Sequence, residues 1–118
     1  MTELHFPRDP SLLVLAALAR EDLHGYGIMK DVEAQSEGRV RLALGTLYGV
    51  LDRLVQTGAI EVAREERRGG RLRRYYRLTE TGADSLRREL ELQIRLIEIT
   101  RSNLESRKPA IARPLEAS

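Results

Sequence analysis

There is no cysteine among the 118 residues, so disulfides, thiolate metal sites and cysteine nucleophiles are excluded. Tryptophan is absent as well, and Phe6 is the single phenylalanine. Histidine occurs only as His5 and His24, too few for a zinc site, which needs three or four ligands. No apolar run approaches the roughly 20 residues that span a membrane. The opening "MTELHFPRDP" lacks the apolar stretch of a secretory signal. No grouping of serine, histidine and acid stands out as a triad. "GYG" is a poor phosphate loop, because it has no preceding strand and no third glycine. There is no internal repeat. These absences predict a cytoplasmic protein that is not an enzyme and holds neither cofactor nor metal.

What is present is an uneven distribution of charge. The net charge of +2 divides into −4 over residues 1–38, +6 over 39–79, −2 over 80–105 and +2 over 106–118. A positive field confined to the middle third of a small chain points to a polyanion. A merely solvated basic face is the bland alternative.

The order of elements follows from hydrophobic period and punctuation. Asp9-Pro10 reads as an N-cap with proline at N1, opening a helix to Arg20 that is apolar nearly all round. "EDLHG" reads as a turn into a second helix, about Gly25 to Ser36, with Gly38 as its stop. "RVRL" is a short extended piece. A third helix is expected from about Leu44 to Thr57, with Leu47, Leu51 and Leu54 on its inner face and Gly58 at C′. The period then falls to 2, with Ile60, Val62 and Arg64 on one face of a strand. "RRGGR" supplies a glycine turn into "RRYYRL", which makes a hairpin with an arginine-rich tip. Thr79 or Thr81 caps a last long helix to about Ser106, Thr81 standing with Asp84 in capping-box spacing. "RKPAIARPLEAS" has no period and reads as a flexible tail.

Three helices, a short extended piece and a hairpin are the order of a winged helix-turn-helix, whose later helix enters the major groove of DNA. The predicted fold is therefore mainly α with a small β-hairpin wing, followed by a long C-terminal dimerisation helix. The expected division is a DNA-binding domain over 1–79, the dimerisation helix over 80–106 and the tail over 107–118. "HGYGI" at 24–28, "GTLY" at 45–48, "LDRL" at 51–54, "GAI" at 58–60 and "GGRLRRYYRLTETG" at 69–82 together resemble the PadR-like transcriptional regulators. The resemblance covers about residues 10–86, and the single C-terminal helix is similar to the compact branch of that family. It implies a homodimeric repressor of double-stranded DNA, of a kind often released from its operator by a small-molecule effector. Relatives that respond to ligands hold flat hydrophobic compounds between subunits on aromatic side chains, which are scarce here.

Candidate DNA-contacting residues come from helix geometry. At about 100° per residue, Gly45, Gly49, Asp52 and Gln56 point away from the apolar stripe of the third helix. Thr46 and Arg53 flank that face on one side and Tyr48 on the other. Glycine inside a helix costs roughly 1 kcal/mol relative to alanine, so two of them ask for a reason. Either they let the helix approach a phosphate or base edge closely, or Gly45 merely starts the helix and Gly49 packs on a neighbour. Thr46 suits a base or phosphate, and Tyr48 a phosphate oxygen. The resemblance adds both to the DNA-contacting set, together with Tyr26, and gives His24 and Tyr26 the role of shaping the start of helix two. It also marks a departure: Ala43 stands where relatives often carry a capping serine or asparagine.

From Arg67 to Arg77 there are six arginines and no acid. Arg68 and Arg71 flank the glycine turn and suit the enhanced negative potential of a narrow minor groove. Arg73 and Tyr75 share the strand face opposite Tyr76 and Leu78, within reach of the DNA backbone. On the last helix Leu86, Leu90, Ile94, Ile97 and Leu104 form one stripe, with Leu92, Leu96 and Ile99 on a second. That exceeds what one neighbour covers and predicts a dimer seam, which the apolar first helix could share. The competing functions are a winged-helix module whose basic wing meets an acidic protein, and recognition of double-stranded RNA by shape.

Overall fold

A computed structural model of the chain describes residues 9–107. His5, Phe6 and all of the expected tail except Arg107 lie outside the described residues. Helix α1 spans Pro10–Arg20, with the Asp9 carboxylate accepting from the Ser11 N–H at 2.9 Å and Pro10 at the start, where no donor is needed. Leu13, Val14, Leu15, Ala17 and Leu18 are buried, so α1 spends most of its apolar surface in the chain's own core.

Strand β1, Leu23–His24, is an element that the sequence alone presents as a turn. Two residues have no period to read; tertiary pairing makes them a strand. Leu23 faces Tyr76 and His24 faces Tyr75 in antiparallel register. Helix α2, Gly25–Gln35, starts on the His24 ring, whose Nδ1 accepts from the Gly27 N–H at 3.2 Å. It ends in a Schellman arrangement: the Glu37 N–H donates to Ala34 and the Gly38 N–H to Glu33. The left-handed C′ position is held by Glu37 (φ 55°), with Gly38 one residue later. An Arg20–Asp31 ion pair ties the end of α1 to the buried side of α2. The "RVRL" piece joins no strand among the described residues.

Helix α3, Leu44–Gln56, buries Leu47, Val50, Leu51 and Leu54, and Ala43 gives it no side-chain cap. Gly58 (φ 82°) ends it at C′ as expected. Strands β2, Ile60–Arg68, and β3, Arg71–Leu78, form the hairpin, and the sheet order is β1-β3-β2. Gly69 and Gly70 both have positive φ, which is the two-residue turn whose twist matches the strands. Ile60, Val62 and Arg64 do not share one face, however. The register shifts between Val62, which pairs with Tyr76, and Arg64, which pairs with Tyr75. One extra residue at Ala63 flips the strand, as a β-bulge does.

Helix α4, Glu80–Glu105, is capped by Thr79, whose hydroxyl oxygen accepts from the Gly82 N–H at 3.0 Å. The Thr81–Asp84 spacing falls inside the helix and does not start it. Gly82 meets the junction of α3 and β2 closely: a Cβ there would sit 2.0 Å from the Ala59 carbonyl oxygen. Leu86 is buried in the same core. Gly82 and Leu86 pack inward with the residues before them, and the chain divides into one compact unit that ends at Leu86 and a second that begins at Arg87.

Candidate nucleic-acid interface

The face of α3 opposite its buried stripe is bare. A Cβ built at Gly45 or at Gly49 would meet nothing within 4 Å. Packing against a described neighbour is therefore not why Gly49 is a glycine. Thr46 and Arg53 are exposed beside that face. A guanidinium N–H of Arg53 donates to the Ser11 hydroxyl at 3.3 Å, which links α3 to the first turn of α1. Tyr48 is exposed on the other flank, and its hydroxyl lies 3.2 Å from where a Cβ on Gly25 would stand. Tyr48 thus leans over the start of α2. Tyr26, in that same first turn, is 62% exposed, with the Lys30 ammonium 5.4 Å from its ring centroid. Two of the three tyrosines of the expected contact set are thereby drawn to one end of α2.

The wing carries less free charge than its sequence implies. Arg68 and Arg71 face each other across the glycine turn. Antiparallel pairing also brings the acids of β2 against the arginines of β3: Arg74 pairs with Glu65 at 3.0 Å and Arg77 with Glu61 at 2.8 Å. Within β2, Glu66 meets Arg64 at 2.8 Å and Arg68 at 4.0 Å. The Arg64 hydrogen bond holds the Glu66 carboxyl below the usual carboxylate range, and Glu66 in turn raises Arg64. These pairs are exposed and add little to stability, but they neutralise charge locally. Among the described residues, Arg67, Arg71 and Arg73 have no ion pair and leave their charge uncompensated.

Tyr75 is not a free strand-face residue. Its ring stacks on His24 at 5.1 Å and 6°, and the Arg64 guanidinium lies 3.9 Å from its centroid. Half-buried in this way, Tyr75 joins β3 to β1, and Arg64 is the charge at that place. Sequence alone omits Arg64 from the candidate set, because an undistorted strand turns it toward Ile60 and Val62. Tyr76 is a core residue, as expected. His24 stacks and caps; among the described residues no group of three or more His, Asp or Glu could hold a metal ion.

Leu86, expected at a subunit seam, is instead 8% exposed in the core of its own chain. Beyond it Leu90, Ile94, Ile97 and Leu104 are exposed along α4, as are Leu92, Leu96 and Ile99. No helix among the described residues is long and apolar enough to cross a membrane.

This geometry has close counterparts. The chain is 36% identical over 87 residues to the transcriptional regulator YqjI of Escherichia coli (strain K12), a match covering 74% of this chain and 40% of that relative. It therefore spans well under half the length of that regulator. A PadR family transcription regulator from Clostridium difficile R20291 superimposes with a TM-score of 0.68 at 25% identity, over 80% of this chain and 97% of that one. Bacillus subtilis PadR, solved in complex with operator DNA, gives a TM-score of 0.61 at 23% identity, over 68% of this chain and 45% of that one. The fold is thus the winged helix of those proteins. The family model described as the transcriptional regulator PadR-like family matches residues 14–88, from inside α1 through the wing to the third turn of α4, and the chain belongs to that family.

Proposed function

We propose that the protein is a homodimeric, sequence-specific DNA-binding repressor acting at a pseudo-palindromic operator in the cytoplasm. The observation that carries this reading is the open space over Gly45 and Gly49, on the one face of α3 that no described residue covers. A helix presented in this way, with Thr46, Tyr48 and Arg53 on its flanks, suits entry into a major groove. Arg68, Arg71 and Arg73 of the wing suit the flanking minor groove and backbone. Tyr26 with Lys30 suits a phosphate at the start of α2. The winged-helix unit, extended through Leu86, binds DNA. The helix from Arg87 onward supplies the dimer contact through Leu90, Ile94, Ile97 and Leu104. Release by a small-molecule effector belongs to this reading through family membership alone.

The experiment is selection of bound sequences from random duplex DNA, followed by binding to the enriched duplex at several salt concentrations. Enrichment of one inverted repeat, with log affinity falling linearly in log salt, is expected. RNA of the same sequence competing equally, or an acidic protein competing while no sequence is enriched, would overturn it.

A further inference from the structure

Leu44 opens α3 and is 53% exposed, although leucine at the first position of a helix neither caps it nor complements its positive end. The residue contributes little to the core, since Leu42 before it and Leu47 after it are the buried ones. Its direction is informative. Helical side chains tilt toward the N-terminus, so that of Leu44 projects past the end of α3 that enters the groove in helix-turn-helix complexes. Beside it, a Cβ on Gly45 would meet nothing within 4 Å, so the neighbouring position on the helix is open. The other exposed apolar groups of α3 are accounted for differently. Tyr48 leans on Gly25, and Val55 lies in the last turn, at the far end of the helix.

A hydrocarbon side chain gains nothing from phosphates or from hydrogen-bonding base edges. The one apolar group that a base pair shows in the major groove is a pyrimidine 5-methyl, carried by thymine. We infer that Leu44 is a specificity-determining residue that reads a pyrimidine 5-methyl group in each half-site. The inference rests on the DNA-binding reading above and adds a base preference to it. Removing the methyl leaves every hydrogen bond of the base pair in place, so the contact can be isolated.

The test uses the full chain and its selected operator, with thymines of each half-site replaced one position at a time by deoxyuridine. Affinity is measured by fluorescence anisotropy for the parent, Leu44→Ala and Leu44→Met. The parent is expected to lose roughly fourfold in affinity per methyl removed at one symmetric position, the worth of burying about one carbon group. Leu44→Ala should bind the two duplexes equally there, while Leu44→Met, still long and apolar, should keep most of the penalty. Melting temperatures of the three should agree, because the side chain is mainly exposed. In a parallel series 5-methylcytosine replaces cytosine. Tighter binding by the parent that disappears in Leu44→Ala would assign the same contact to methylated cytosine. A parent indifferent to every methyl, or a Leu44→Ala protein with the parent's full pattern of penalties, overturns the inference and leaves DNA binding standing. Failure to enrich any sequence removes DNA binding and this inference with it.

Discussion

Glycine occurs in these helices for two opposite reasons, and substitution separates them. At Gly82 a Cβ would come within 2.0 Å of the Ala59 carbonyl oxygen, which already accepts from the Thr79 N–H at 3.0 Å. That carbonyl is backbone at the junction of α3 and β2 and has no rotamer with which to give way. Gly82→Ala should therefore destabilise the fold by about 1–3 kcal/mol or more, as overpacking does, measured as a fall in urea midpoint. At Gly49 the surroundings are open, so Gly49→Ala should raise stability by up to about 1 kcal/mol. Gly49→Leu should leave the melting temperature near that of the parent and abolish specific binding by keeping the helix out of the groove. A Gly49→Leu protein that binds the operator normally would remove close approach as the reason for this glycine.

At the scale of elements, the wing is a ribbon whose charge depends on pairing rather than on composition. Arg74 and Arg77 are matched by Glu65 and Glu61 from the opposite strand, whereas Arg71 and Arg73 have no ion pair among the described residues. Replacing Arg71 and Arg73 by alanine should flatten the slope of log affinity against log salt by about 0.9 for each phosphate left without its arginine. Replacing Arg74 and Arg77 should change that slope much less, because their charge is already balanced. Equal effects from the two pairs would mean that the ion pairs open on binding. Arg68, held loosely at 4.0 Å from Glu66, belongs with the first pair. Arg68→Ala added to Arg71→Ala should also reduce any preference for A·T at the operator flanks.

For the whole molecule, the question is what the exposed side of α4 is for. Large aliphatic side chains from Leu90 to Leu104 remain open to solvent, more than a single surface helix ordinarily leaves uncovered. Ile94→Glu or Ile97→Glu should yield a monomer by light scattering and lose operator binding, with the winged-helix unit still folded by circular dichroism. Leu86→Glu should instead unfold that unit, since Leu86 is in its core. A dimer of unchanged mass in both isoleucine variants would place the seam elsewhere. With the seam on α4, two-fold symmetry sets half-site centres one helical turn apart, about 34–36 Å.

The periodic elements were legible from the residues alone. An apolar stripe at helical spacing, a proline after Asp9, a glycine after Thr57 and a double glycine between alternating runs are local signals, and each element they define lies within a residue or two of its expected bounds. Family membership was legible too, because ordered motifs at fixed spacing survive without any knowledge of contacts. What pairs with what was not. β1 exists only because β3 lies beside it, and the bulge at Ala63 leaves no mark in a pattern of alternating residues. Both change the candidate interface: the first takes Tyr75 into a stack with His24, and the second brings Arg64 to it. The acids that neutralise part of the wing stand up to 16 residues away in sequence from their arginines, so a count along the chain could not assign them. Leu86 shared a helical stripe with Ile94, but only tertiary packing decided that one faces the core and the other solvent. Local propensity and spacing are properties of the chain, whereas burial and charge balance belong to surfaces that exist only once distant segments meet.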